Sequence, residues 1–287
     1  MRAANAVRGR DTRSTSRIPR PVRQVFSRVI KRLITSGDAY VIDLDGEPFY
    51  LPRTQDSWAE YGSRSHEQYT ADLWRKCVKP GATVVDIGAQ VGYFAVMAGS
   101  RVRPGGQVFA FEPVPRNLDV LRRNISARSL DGVVQPVDKA VSNEPGTIEM
   151  VIYRDSDSHG MHAVPGAVIE ARVSVECVTL DSFLNGAKVD VIKLDIEGHD
   201  ERALRGMSRT ISGSTPLVLF AELAPAYLRR AGTDPREYVE LIRNFGFTIH
   251  LIDERARQLR PFTLDELARL EQNSSAYMNM YCVKPPR

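Results

Sequence analysis

Short apolar runs alternate with amphipathic stretches along most of the chain. Residues 83–87 (TVVDI), 107–111 (QVFAF) and 132–137 (GVVQPV) read as short buried strands. Between them, 93–101 and 115–127 space their apolar residues as helices do. Another helix is predicted over 66–77, stopped by Lys79-Pro80-Gly81. Buried strands linked through helices predict a parallel sheet with right-handed crossovers. A β-rich insertion follows at 146–153 and 172–178, with a polar loop between the two runs. Strands return at 189–194, 217–223, 247–252 and 277–283, and helices at 236–244 and 264–271. Counted without the insertion, seven strand candidates run from Thr83 onward. No internal repeat or linker interrupts 40–287, so one domain is expected over 66–287.

Upstream, 40–44 and 48–51 flank Asp45-Gly46, a hairpin signal. Val25, Phe26, Val29, Ile30 and Leu33 have helical spacing. Residues 25–65 are therefore expected to form an N-terminal extension capping the later core. Residues 1–24 are rich in Arg, Ser and Pro and are expected to be a disordered basic tail. Residues 1–32 carry ten Lys/Arg against Asp11 alone, a balance of +9. The rest of the chain is then at −5, although the whole is at +4. An acidic body argues against a nucleic-acid groove on the main domain.

No run approaches the ~18 apolar residues of a spanning helix, and no apolar segment of secretory type follows the basic start. The expectation is a cytoplasmic protein with no membrane span. Cys77, Cys177 and Cys282 lie far apart without a CxxC pair, which indicates neither a zinc site nor a disulfide framework. The phosphate-binding GxxxxGK[ST] loop and the GxSxG elbow are both absent.

The chemistry concentrates in Asp86-Ile87-Gly88-Ala89-Gln90-Val91-Gly92, between a strand and a helix. Glycines there let the backbone turn tightly and approach a ligand. Glu112 ends the next strand, where an acid can accept both ribose hydroxyl hydrogens of a nucleoside. A dinucleotide would need GxGxxG to bring a helix N-terminus to its pyrophosphate. Here Gln90 replaces the middle glycine, and Asp86 places a negative charge where pyrophosphate would lie. S-adenosylmethionine (SAM) has no phosphate, and its ammonium and sulfonium groups both welcome a carboxylate. Asp86 therefore favours SAM over NAD.

The ordered set VVDIGAQVGYF (84–94), FAFEPVPRNLDVLRRN (109–124), KAVS (139–142), VTLDSF (178–183), DVIKLDIEGHDERALRG (190–206) and FAEL (220–223) resembles the FkbM family of class I SAM-dependent methyltransferases. The resemblance covers about 67–283, and Gln90 stands where the family commonly has Asn. It implies an α/β Rossmann-like fold: a mostly parallel seven-stranded sheet, last strand antiparallel, with helices on both faces. By the same resemblance, Asp86, Gly88, Gln90 and Gly92 would line the methionine moiety and Glu112 would bind the ribose. Asp138, Lys139 and Ala140 would lie near the adenine, and Glu67 would close the SAM pocket. Asn117 is equally readable as an ordinary helix-surface amide.

Asp195 and Glu197, two residues apart after the fourth strand, would share one side of an extended segment with Lys193. They would then face the methyl group, or form a structural ion pair with Lys193. Glu222 ends the next strand and joins the same rim. Methyl transfer to a hydroxyl needs an in-line acceptor and a proton sink. Asp195 is the first candidate base, then His159, with Glu222, His162 and His199 also within the set. Asp195, Glu197, Asp200 and Glu222 have the hardness Mg²⁺ prefers, but their spacing is not diagnostic and no metal is expected. The expected activity is O-methylation of a small hydroxylated molecule, a sugar or natural-product intermediate. An N- or RNA methyltransferase and a non-catalytic SAM-binding protein are the rivals, and a homo-oligomer is left open.

Overall fold

The computed structural model describes residues 39–53, 67–153, 160, 168–273 and 276–286. The basic tail, the helix expected over 25–33, His159 and His162 lie outside the described residues.

The chain enters as a hairpin of β1 (Ala39–Leu44) and β2 (Glu47–Pro52). Asp45 and Gly46 have φ of 58° and 85°, the left-handed pair whose twist suits a two-residue hairpin turn. Alternation of helix and strand begins with α1 (Gln68–Cys77), β3 (Thr83–Ile87), α2 (Tyr93–Val102), β4 (Gln107–Phe111), α3 (Pro115–Ala127) and β5 (Val134–Val137). The insertion is a separate three-stranded sheet of β6 (Ala140–Val141), β7 (Gly146–Tyr153) and β8 (Ile169–Val178), in the order β6-β8-β7. The chain then returns through α4 (Leu180–Leu184), β9 (Val191–Leu194), α5 (Asp200–Arg205), α6 (Ser208–Gly213) and β10 (Leu217–Leu223). It continues with α7 (Pro225–Arg230), α8 (Pro235–Asn244), β11 (Thr248–Asp253), β12 (Gln258–Pro261), α9 (Leu264–Glu271) and β13 (Met278–Lys284).

The main sheet has the order β5-β4-β3-β9-β10-β13-β11-β12. Strands β5 to β10 are parallel, and β13 runs antiparallel between β10 and β11. The seven expected strands are present, with an eighth, β12, added at the edge. Its sequence, Gln-Leu-Arg-Pro, lacks the apolar alternation that betrays a strand, and a proline is tolerated on such an edge.

Both faces of the sheet are covered. One apolar cluster joins α1, α2, α3 and the hairpin, and the other joins α4 to α9. Trp74 anchors the first: it is fully buried, its Nε1 donates to the Phe94 carbonyl at 3.1 Å, and it sits edge-on to Phe94 and Phe220. Trp74→Ala is expected to cost about 3–5 kcal/mol, read as a lower urea midpoint with an unchanged slope.

Asn124 ties the hairpin to the glycine loop. Its Oδ1 accepts from the Tyr50 amide at 2.7 Å, and its Nδ2 donates to the carbonyls of Tyr50 (2.9 Å) and Val91 (2.8 Å).

Candidate active site

A cavity of about 330 Å³ opens at the C-terminal ends of β3, β4, β9 and β10, partly roofed by β6 and β7. This is where a parallel sheet exposes loops from several strands at once.

The glycine loop is fixed from both sides. The Gly88 and Ala89 amides donate to the Phe111 carbonyl at 3.0 and 2.9 Å, and the Asp195 amide donates to the Ile87 carbonyl at 3.1 Å. Gly88 has φ of +82°, and a Cβ there would lie 1.9 Å from the Asp195 carbonyl oxygen, so no larger residue fits. Gly92 starts α2, where a Cβ would meet Leu121 Cδ1 at 2.5 Å. Gln90 turns in the left-handed region (φ 51°) and sends its amide to Glu112 Oε2 at 2.9 Å.

Glu112 lies just past β4 and is buried. Its Oε1 accepts from the Val114 amide at 2.9 Å, and the Asn117 side chain also bonds the carboxylate. Burial pushes its pKa up to about 7, against the pull of the Val114 and Gln90 amides and of Asn117. Asn117 is thus a buried partner of Glu112 rather than a surface amide, and it lines the cavity.

Lys139 and Ala140 line the cavity, and the Lys139 ammonium is paired with Glu176. Asp138 does not line it: it lies just past the end of β5 and is exposed.

Asp86, at the tip of β3, is 1% exposed and faces the cavity, and neither carboxylate oxygen has a hydrogen-bond partner of good geometry. Burial raises its pKa to about 6, helped by Asp195 and Glu67 and opposed by Lys193 and the Ala95 amide. A buried carboxylate beside an open cavity suits a ligand that brings its own positive charge.

Glu67 lines the same cavity from the start of α1, where its φ is 41°. Its Oε1 accepts from Asn279 Nδ2 at 2.5 Å. The Glu254 carboxylate accepts the Tyr69 and Thr70 amides, both at 2.8 Å, and the Thr70 hydroxyl at 2.6 Å, which caps that helix start. Sequence reasoning missed Glu254 and Asn279, because neither carries a local signal.

On the far side, Lys193 stands beside Asp86 in the sheet register, and its ammonium bonds Asp195 Oδ2 at 2.7 Å. Burial pulls the lysine pKa down, but Asp195, Glu67 and Asp86 outweigh it and hold the ammonium charged. The expectation that Asp195 and Glu197 sit on one extended segment fails. Strand β9 stops at Leu194, and Glu197 and Gly198 turn through φ of 57° and 94°. The turn is held by Asp200, whose carboxylate accepts the Gly198 amide at 3.0 Å and whose pKa burial pushes up to about 7. Asp195 and Glu197 still both line the cavity, as does His199.

Glu222 lines the cavity half-buried, and no donor among the described residues bonds its carboxylate. Burial raises its pKa well above its ordinary value, followed by the charges of Asp195, Glu197, Asp200 and Glu67. Among the described residues no three His, Cys, Asp or Glu converge on a metal position, and no helix is long and apolar enough to cross a membrane. Cys77, Cys177 and Cys282 are free thiols.

Residues 86–249 match the family described as the methyltransferase FkbM domain. The chain is 26% identical over 162 residues to hexuronic acid methyltransferase AglP of Haloferax volcanii, covering 55% of this chain and 59% of that protein. It is 38% identical over 79 residues to 31-O-demethyl-FK506 methyltransferase FkbM of Streptomyces tacrolimicus, covering 28% of this chain and 29% of that protein. The chain therefore spans under two thirds of each relative. Among solved structures, M. jannaschii TYW2 in complex with AdoMet superposes with a TM-score of 0.45 at 14% identity, covering 88% of this chain and 89% of that one.

Proposed function

The chain belongs to the FkbM methyltransferase family, whose methyl donor is SAM, and from that premise we propose that it methylates a hydroxyl group on a small molecule, a sugar or natural-product intermediate. The names of the two relatives, one acting on a hexuronic acid and the other on 31-O-demethyl-FK506, support a small acceptor.

The observation that carries this reading is Asp86: a fully buried carboxylate, with no hydrogen bond of good geometry, facing a cavity. It fits the ammonium end of SAM. Glu112, held by two amides and Asn117, keeps lone pairs for the ribose hydroxyls. Nothing in this arrangement suits pyrophosphate. When bound, SAM supplies a methyl group already activated by the sulfonium. The chain's remaining tasks are to hold the hydroxyl in line, about 3–3.5 Å from the methyl carbon, and to take its proton.

Glu222 takes that proton in this reading. Asp195 is committed to Lys193, whereas Glu222 is unbonded among the described residues, and burial raises its pKa. Lys193 and Asp195 act on position: their ion pair fixes the side chains at the β9 tip, and the Asp195 amide ties that tip to the Ile87 carbonyl.

Incubation with methyl-labelled SAM and a panel of glycosides tests the activity. Label transferred to oxygen supports the reading, label on an amine or on RNA replaces it, and binding without transfer to any acceptor identifies a SAM-binding protein instead. Glu112→Ala is expected to weaken SAM binding about 10- to 100-fold by calorimetry, since two ribose hydroxyls and two backbone amides lose a charged acceptor.

A further inference from the structure

Glu67 stands at the N-cap of α1, yet its side chain does not cap that helix. A carboxylate at a helix start ordinarily turns to the helix's own free amides. Here Glu254 takes that duty, accepting the Tyr69 and Thr70 amides and the Thr70 hydroxyl. Glu67 itself is held in the left-handed region, with φ and ψ both 41°, a costly conformation for a residue with a Cβ. Its side chain lines the cavity, and its Oε1 accepts from Asn279 Nδ2 at 2.5 Å. Asn279 is paired with Glu222 in the β10–β13 register, so these two side chains leave the sheet on one face. Glu67 therefore enters the cavity from the Glu222 side, whereas Asp86 stands on β3, beyond β9 and β10. Burial leads the upward pKa shifts of Asp86 and Glu222, and the Glu67 charge adds to both, so it reaches the two of them. A sulfonium whose ammonium end meets Asp86 and whose methyl points toward Glu222 lies in that same interval.

We propose that Glu67 is the counter-charge of the cofactor's sulfonium and thereby selects SAM over S-adenosylhomocysteine. The proposal rests on the methyltransferase reading, with Glu222 as its base. Both compounds carry the ammonium that suits Asp86 and the ribose that suits Glu112. They differ by one methyl group and by the positive charge on sulfur. On transfer the carbon–sulfur bond breaks with its electron pair left on sulfur, the acceptor oxygen gains the methyl, and Glu222 takes the hydroxyl proton. The sulfur is then neutral, so Glu67 no longer attracts it and the spent cofactor leaves more readily. Asn279 and Glu254 are positioning residues: one aims the Glu67 carboxylate, and the other relieves it of capping α1. Asp195 and then Glu67 hold the nearby Lys193 ammonium charged against burial, and Asp195 is the one bonded to it at 2.7 Å.

The test is calorimetric titration of the full chain with SAM and with S-adenosylhomocysteine at low salt, which needs no acceptor. Glu67→Gln keeps the side chain's length and still accepts from Asn279, so it removes the charge alone. It is expected to weaken SAM about tenfold while S-adenosylhomocysteine stays within about threefold. Sinefungin, which has an ammonium group near the place of the sulfonium, should lose affinity as SAM does. Should Glu67→Gln lack a native near-UV spectrum, Glu67→Asp reads the same contrast through a shorter reach, again with SAM losing more than S-adenosylhomocysteine. Equal losses for the two compounds, a larger loss for S-adenosylhomocysteine, or unchanged SAM affinity would each overturn the proposal. Equal losses would assign Glu67 to Lys193 or to the shape of the cavity. Those results leave the methyltransferase reading standing, whereas a parent chain that binds neither compound overturns both.

Discussion

Asp86→Ala is expected to abolish SAM binding, with affinity falling by more than about 100-fold in calorimetry. The side chain is buried, without a hydrogen bond of good geometry and directed at the cavity, so its removal takes the cofactor's charged partner. The fold itself should not suffer. The pKa of Asp86 is raised from 3.8 to about 6, so the native state prefers the protonated form. Its charge therefore destabilises the folded chain at neutral pH, a penalty relieved as pH falls through about 6. Asp86→Asn should be at least as stable as the parent at pH 7.5 while still failing to bind SAM.

The same sign governs affinity. Binding requires the ionised carboxylate, so SAM affinity should rise with pH through about 6 for Asp86 and about 7 for Glu112, then level off. Affinity about tenfold or more lower at pH 5.5 than at pH 8 is the expected result. A flat profile across that window would remove both carboxylates from the cofactor site.

Glu222→Gln is expected to lower kcat by about 10²- to 10⁴-fold while SAM affinity stays within about threefold. The substitution keeps size and shape but removes the proton acceptor. The split between turnover and cofactor binding is the informative readout, because a merely structural role would move both. Unchanged kcat would return the base to Asp195 or to a histidine.

What could be read from the sequence and what could not divide along a physical line. The strand–loop–helix around Asp86 and the position of Glu112 were legible because the chemistry is local: a few residues set the turn and the tip of the next strand. The hairpin at Asp45-Gly46 was legible for the same reason. Contacts between distant segments were not. Glu67 meets Asn279 across 212 residues, and the Glu254 cap on α1 spans 185, so no spacing rule could find either. Asp138 was placed by the family resemblance at the end of the third strand, but it lies exposed just past β5, and Asn117 lines the cavity. Asp195 and Glu222 looked alike as acids at adjacent strand tips. Only the packing of Lys193 against one of them separates their chemistry.

Strand β13 lies between β10 and β11 in the sheet, yet follows both in the chain. During synthesis, those two strands must therefore wait with open edges until residues 278–284 have left the ribosome. Nascent chains halted before that point would expose unpaired backbone on either side of a gap and would be natural clients for chaperones.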